Sequence, residues 1–446
     1  MYASVFRNIL FPTYAKIRGK KLLQYLVQYE DHLNWTSDEI AKHQVVQLQA
    51  LLKHAFESTA YYRRVWADAG LTDPREISSV ADFSKLPLVT KSDINENFSE
   101  FVSTKHPRNI RKSTGGSTGQ PFHFELDHES NSRREAIMWR GYGSLGAGLG
   151  TKTLYLWGAE LGQMGFTHKL KNNLYHAFYN RKMLNSFAMT EDNLHQYVDA
   201  INRYRPEAMV CYVNPLFELA RYILESGSPV RSPKVILTGA EPLHEHQRET
   251  IQKAFDCPVY NTYGCREFML IAAECAERRC LHINNDHLLV EAVNEGGEAV
   301  LGRSGELVIT DLYNYGMPLI RYVNGDAATL TDVRCECGSP LPVMESIEGR
   351  RLDIIRTASG RTIPGEFFPH LLKEFQSIRR FQVVQEVLDS VVIKIVADAS
   401  YSDDIERQIR TEIERYSHGE LELRFDYVAE IPLTASGKHR VTVSEL

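Results

Sequence analysis

The chain has no apolar run near the roughly 18 residues that a membrane span needs, so a membrane-spanning helix is excluded. Charge of one sign is not in excess. The 51 Lys and Arg against 57 Asp and Glu leave a net charge of −6, which argues against an electrostatic nucleic-acid binder. Cysteine is scarce and odd in number: seven, mostly between Cys257 and Cys337. That excludes a secreted disulfide scaffold and points to reduced thiols, with a metal site as one reading. The opening stretch MYASVFRNILFPTYAKIRGKKLLQYL lacks the compact apolar core and small-residue cleavage site of a secretory signal, and a cytoplasmic location is expected. It reads as an amphipathic lead-in lying on the body or as a membrane-surface helix, since Lys16–Lys21 is locally basic. Internal repeats, low-complexity tracts, HExxH and a Cys/His/Asn nucleophile arrangement are missing, and the glycine-rich segment at 113–121 has neither a Walker A lysine nor the GxGxxG spacing.

What is present is an ordinary globular composition: 446 residues, 43% hydrophobic and 24% charged. That length suggests two or three domains. Thr36 and Glu39 form a capping-box pattern, and Leu48, Leu51, Leu52 and Ala55 recur at helical spacing, so residues 36–59 read as a helix. From about 110 to 325, short apolar runs (TLYLW, AMVCY, VILT) alternate with helical segments such as Asn214–Ser226. This predicts an α/β core. Strands then dominate from about 287 to 330, including the segment Leu319–Tyr322. After Arg350 comes a hairpin around Leu388-Asp389-Ser390, a helix over Ser402–Tyr416 and a strand over Glu420–Val428. These predict a small α+β unit spanning 350–446, after a larger 1–349 unit with a helical lead-in over 1–109.

The strongest local signal is Ser113-Thr114-Gly115-Gly116-Ser117-Thr118-Gly119-Gln120-Pro121. Three glycines allow consecutive N–H groups to converge on an anion, and the hydroxyls add donors. With the preamble KLPLVTKSDI, this 113–121 loop resembles the phosphate loop of the adenylate-forming (acyl-CoA synthetase) superfamily. Within it, the chain is similar to the phenylacetate-CoA ligase family and its capsular-polysaccharide-cluster branch.

The resemblance implies a large N-terminal domain of mixed α/β layers with a β-rich part, and a small mobile C-terminal lid. It implies that Gly239, Ala240, Glu241 and Pro242 wall the adenine. In Asn261-Thr262-Tyr263-Gly264-Cys265-Arg266-Glu267, the tyrosine lies near the nucleotide and Glu267 holds Mg²⁺, with Arg266 replacing the usual hydroxyl residue. Asp326, in Arg321-Tyr322-Val323-Asn324-Gly325-Asp326, takes the ribose hydroxyls, and Arg350 reaches the ribose or α-phosphate. Residues 350–353 form the hinge, without the first of its usual two acids. Lys438, in Pro432-Leu433-Thr434-Ala435-Ser436-Gly437-Lys438, bridges the attacking carboxylate and the α-phosphate.

Cys275, Cys280 and His282 are followed some fifty residues later by Cys335-Glu336-Cys337-Gly338. Three thiolates and one imidazole make a closed tetrahedral zinc set. On the family analogy Cys275, His282, Cys335 and Cys337 are the ligands, with Cys280 as alternative or spectator, in a strand-rich part over about 270–345. Cys211, Cys257 and Cys265 read as small apolar residues.

The implied reaction joins a small carboxylic acid to AMP at the expense of MgATP, then passes the acyl group to coenzyme A. An amine acceptor, giving an amide in polysaccharide or secondary-metabolite biosynthesis, is the alternative. A non-catalytic nucleotide-binding or zinc-ribbon interaction protein is the competitor from another class. Trp139, Tyr142, Trp157, Tyr212 and Phe217 are candidates for an acyl pocket or for plain core. A homodimer is a family expectation.

Overall fold

A computed structural model describes residues 2–446 except 72, 78, 115–121, 159–165, 278–279, 349–354, 364, 366, 373–374, 376 and 432–440. Among the described residues, nineteen strands form four sheets. A hairpin of β1 (Ile110–Thr114) and β2 (Phe122–Leu126) carries the glycine-rich segment between its arms. The large sheet uses β3 (Thr153–Trp157), β4 (Arg181–Asn185), β5 (Ala208–Tyr212), β6 (Val235–Gly239) and β7 (Val259–Cys265). It continues through β8 (Met269–Glu274), β9 (Leu281–Ile283), β10 (Leu288–Val293), β11 (Ser304–Asp311), β12 (Tyr322–Thr331) and β13 (Val343–Glu348). The spatial order is β10-β11-β12-β13-β9-β8-β7-β6-β5-β3-β4.

β7 is the pivot of this sheet. It pairs in parallel with β6 and antiparallel with β8. On the β6 side every pair is parallel, and β5 and β6 are buried along their whole length. This is the texture expected of strands covered on both faces by helices. On the β8 side every pair is antiparallel. β13 and β9 pair at Val343↔His282 and Met344↔Leu281. β12 does not border β7 in the sheet, yet its Asp326 and Asn324 hydrogen-bond the Tyr263 hydroxyl of β7, so the antiparallel half curls back toward β7.

The lead-in packs on this body rather than standing apart. The helix Ser37–Ser58 starts at the Thr36/Glu39 capping box, with both reciprocal hydrogen bonds made. Its Leu48, Leu51, Leu52 and Ala55 join Tyr62, Trp66, Phe101, Phe124 and Tyr322 in one core cluster. The segment Leu319–Tyr322 is a strand only from Tyr322 onward. Arg321 takes a positive φ of 50° and turns its guanidinium inward, onto Glu291 and the carbonyls of Leu86 and Gly297. Leu319 and Ile320 therefore lie in core, before the ladder begins.

The last unit has β14 (Ile355–Arg356) and β15 (Thr362–Ile363), then β16 (Ile378–Val387), β17 (Ser390–Ala397), β18 (Glu422–Tyr427) and β19 (Thr442–Ser444). The second sheet runs β18-β17-β16-β19, with the helix Asp403–Ser417 contributing Ile409 and Ile413 to its core. This core includes Phe187 and Tyr212 of the larger part. Phe187 meets Phe367 edge-on at 5.9 Å, Asn185 Nδ2 donates to Tyr416 Oη at 3.3 Å, and Arg361 pairs with Asp192 at 2.8 Å. The small unit thus rests near the C-terminal ends of β4 and β5. Those ends are where open α/β sheets bind ligands.

Candidate active site and a cysteine–histidine cluster

The C-terminal ends of the parallel strands β6 and β7 carry two of the sequence-predicted nucleotide segments, Gly239–Pro242 and Asn261–Gly264. Gly239 ends β6, and the chain turns at Ala240, whose φ of +68° is an uncommon conformation for a residue with a Cβ. The Glu241 carboxylate accepts from the backbone N–H and the Nδ2 of Asn214, at 2.7 and 2.9 Å. Burial pushes its pKa up to about 7 against those two bonds. Pro242 is exposed at the turn. Next door on β7, Thr262 Oγ1 donates to the Thr238 carbonyl at 2.7 Å, tying β7 to β6. The Asn261 N–H donates to Glu274 at 2.7 Å. Gly264 is forced by packing, since a Cβ there would collide with the carbonyl oxygen of Met269.

Because β12 curls back, Tyr263 faces it. The Tyr263 hydroxyl donates to Asp326 Oδ2 at 2.7 Å and accepts from Asn324 Nδ2 at 3.0 Å. Burial, and then the Asp326 charge, hold the Tyr263 hydroxyl well above its ordinary pKa, so it stays a donor. The turn between β7 and β8 presents Glu267, which is buried. Its Oε1 accepts from the Tyr322 hydroxyl at 3.2 Å and lies 3.5 Å from Lys91 Nζ. Arg266, beside it, has an exposed side chain, while its carbonyl accepts from the buried Arg134 guanidinium.

Sequence reasoning did not single out Lys91. Val89 pairs with Tyr322 as a parallel bridge, with both backbone bonds made. The Thr90/Asp93 capping box then starts the short helix Lys91–Glu96. This delivers the ammonium to Glu267 and to the face of Phe122, 5.5 Å from the ring centroid. Phe122 is the first described residue after the glycine-rich segment, so Lys91 sits between that segment's exit and Glu267. The available signal was the charged residue in KLPLVTKSDI, but nothing local tied it to a carboxylate far along the chain.

Ser113 and Thr114 close β1, opposite His123 and Phe122. Gly115, Gly116, Ser117, Thr118 and Gly119 lie outside the described residues, as do Arg350, the 350–353 hinge and Lys438. The five aromatic candidates do not form one pocket. Trp139, Tyr142 and Trp157 share a cluster with the lead-in, Tyr212 meets Trp157 at a tilt of 54° with centroids 4.2 Å apart and joins the small unit's core, and Phe217 packs on the opposite face of the sheet.

A second constellation lies in the antiparallel half. Cys275 follows β8, His282 is on β9, and Cys335 and Cys337 stand in the turn between β12 and β13. Their four ligand atoms all lie within 4.8 Å of one another. Cys275 Sγ and Cys335 Sγ are 3.7 Å apart, and Cys337 Sγ is 3.3 Å from His282 Nε2. A tetrahedron with metal–sulfur bonds of about 2.3 Å has sulfur–sulfur edges of about 3.8 Å, so the spacing fits. The other ring nitrogen, Nδ1, lies 3.3 Å from the Leu341 carbonyl. That acceptor favours the tautomer with the Nε2 lone pair toward the thiols. Cys280 Sγ lies 3.9 Å from the same Nε2, outside the group of four. Cys211, Cys257 and Cys265 pack among apolar side chains.

Residues 355–445 match the family model described as the CapK C-terminal domain. The chain is 23% identical to Protein CapK of Staphylococcus aureus over 99% of its own length and 97% of that protein. It is 26% identical to a phenylacetate-coenzyme A ligase of Thermus thermophilus, over 81% of this chain and 82% of the other. A solved 2-hydroxyisobutyryl-CoA ligase, in complex with 2-HIB-AMP and CoA, matches with TM-score 0.61 at 20% identity, over 92% of this chain and 90% of that one. The chain is therefore a homologue of CapK and of phenylacetate-CoA ligases, and its fold is that of adenylate-forming CoA ligases. Among the described residues, no helix is long and apolar enough to cross a membrane.

Proposed function

We propose that the chain is an AMP-forming acid ligase. The observation that carries this reading is the convergence of three groups around one end of the sheet: the Gly239–Pro242 turn, the Tyr263–Asp326–Asn324 triad and the Glu267–Lys91 pair beside Phe122. The turn walls a purine. Asp326, oriented by Tyr263, takes ribose hydroxyls. The 113–121 segment holds phosphates through its N–H groups and hydroxyls. Glu267 is a hard oxygen donor suited to Mg²⁺, and the ion, when bound, offsets phosphate charge.

In the first half-reaction a substrate carboxylate oxygen attacks the α-phosphorus, and the bond to pyrophosphate breaks. Lys438 offsets the charge as the two anions meet. In the second half-reaction a nucleophile adds to the acyl carbonyl, AMP leaves and the nucleophile's proton is released. Coenzyme A is the acceptor in this reading, giving a thioester. The small unit beginning at 350 moves between the halves about the 350–353 hinge. Zinc occupies the Cys275–His282–Cys335–Cys337 group as a structural ion, since four protein ligands leave no open position.

ATP–pyrophosphate exchange against a panel of carboxylic acids tests the first half. Exchange with at least one acid is expected, and none with any acid, alongside ATP binding unchanged in Lys438→Ala, overturns it. Adding coenzyme A or amines to the active acid then reads the acceptor by the mass of the product.

A further inference from the structure

Two segments far apart in sequence lack acidic residues and lie side by side. Residues 2–29 contain Arg7, Lys16, Arg18, Lys20 and Lys21 but no Asp or Glu. Residues 161–190 contain Lys169, Lys171, Arg181 and Lys182, again without an acid, in a chain of net charge −6. The Tyr2 hydroxyl donates to the Phe178 carbonyl at 2.7 Å, and Phe178 meets the rings of Phe6 and Tyr14 at 5.1 and 5.0 Å.

The local backbone sorts the side chains. Phe6–Leu10 is a turn of π-helix between two α-helical pieces, Tyr2–Val5 and Phe11–Ile17. Its wider winding brings residues five apart toward one side, so Phe6 and Phe11 are both buried while Val5, Ile9 and Leu10 are left outside. Ile9 is 60% exposed and Ile17 78%. On the adjacent helix Phe166–Phe178, Leu170 is 51% and Leu174 63% exposed, with Tyr175 also outward. Lys16, Arg18, Lys21 and Lys171 are exposed around them. Elsewhere exposed large apolar residues are scattered, as on ordinary surfaces.

We propose that this face, built from residues 2–21 and 170–175, docks the protein peripherally on an anionic lipid bilayer. Arg7 and Lys20 are paired with Glu30 and Glu135 at 3.6 and 3.3 Å, and the aliphatic side chains flanked by Lys16, Arg18, Lys21 and Lys171 form the interfacial pattern in which apolar groups enter the headgroup–acyl boundary while the basic groups meet lipid charge. A second copy is the poorer occupant. A two-fold contact sets the same patch against itself, which here opposes basic residues to basic residues.

The test is flotation of the full chain with phosphatidylcholine vesicles containing roughly 30% phosphatidylglycerol, against phosphatidylcholine alone. Expected is binding to the anionic vesicles only, weakening as salt is raised. Ile9→Glu with Ile17→Glu, and separately Leu170→Glu with Leu174→Glu, abolish flotation while thermal melting is unchanged. Lys16→Gln, Arg18→Gln and Lys21→Gln each weaken binding about fivefold at low salt. Absence of flotation by the wild-type chain, flotation indifferent to both Glu pairs, or a sedimentation dimer that Ile17→Glu dissociates overturns the proposal.

Discussion

The Glu267 site and the cysteine–histidine cluster belong to one sheet but are assembled by opposite means. At Glu267 the partners come from remote elements: Lys91 from the lead-in, Tyr322 from β12 and the carboxylate from the β7–β8 turn. At the cluster the donors stand on neighbouring strands and turns, and the single register Val343↔His282 sets one arm against the other. The first site depends on the curl of the whole antiparallel half, the second on one strand pairing. Breaking a member of the first is expected to cost activity, and breaking a member of the second to cost stability.

The largest expected effect is Lys438→Ala. In the proposed reaction this lysine offsets developing charge, so ATP–pyrophosphate exchange is expected to fall by about 10²–10³-fold, on the scale of losing one oxyanion-hole donor, with melting unchanged. An equal loss of stability would remove the contrast between the two sites.

Next come His282→Ala and Cys335→Ser. The purified chain is expected to carry one zinc by elemental analysis, and each variant to lose it. Thermal melting is expected to fall by several degrees, while the KM for ATP in any folded protein stays within about twofold, because neither residue belongs to the proposed nucleotide site. Cys280→Ser is expected to keep the metal, which separates the spectator from the four ligands.

Lys91→Met sharpens the other side. It leaves the Glu267 carboxylate without its cation, and exchange is expected to fall about 10–100-fold through a raised KM for MgATP. Glu267→Gln and the double variant complete a cycle. Two groups in contact should couple, so additive losses would show that Lys91 and Glu267 act separately.

The smallest effect concerns Glu241. Its folded pKa of about 7 lies above the unfolded value of about 4.3. Between those values the native state binds more protons, so this group's contribution falls as pH rises through the window. Relative to Glu241→Gln, the wild-type melting temperature is expected to decline from pH 5 to pH 8. A flat difference would mean that the carboxylate is hydrated.

Legibility followed how local each feature is. The helix 37–58 was readable from its cap and spacing, and the hairpin β16–β17 from alternation, since both patterns record contacts within a few residues. The cluster was readable because cysteine and histidine are distinctive metal donors whatever the path between them, while the choice of Cys275 over Cys280 came from the family resemblance. Lys91 was not, because a charged residue after a helix cap looks the same on a solvated surface as beside a buried glutamate. The aromatic candidates, readable as an acyl pocket or as plain core, lie in or against core clusters on both faces of the sheet, because spacing along the chain does not say which side of a sheet a ring will occupy.

The sequence by itself determined the strand–helix alternation from about 110, the run of strands over about 287–330, and the chemical character of the donors. Periodicity and residue type are properties of the chain. Only the tertiary structure decided that β12 folds back over β7, that Lys91 meets Glu267 and Asp326 meets Tyr263, and that two acid-free segments share one face. Those pairings join residues far apart in the chain, and packing, which no short window of sequence encodes, chooses among them.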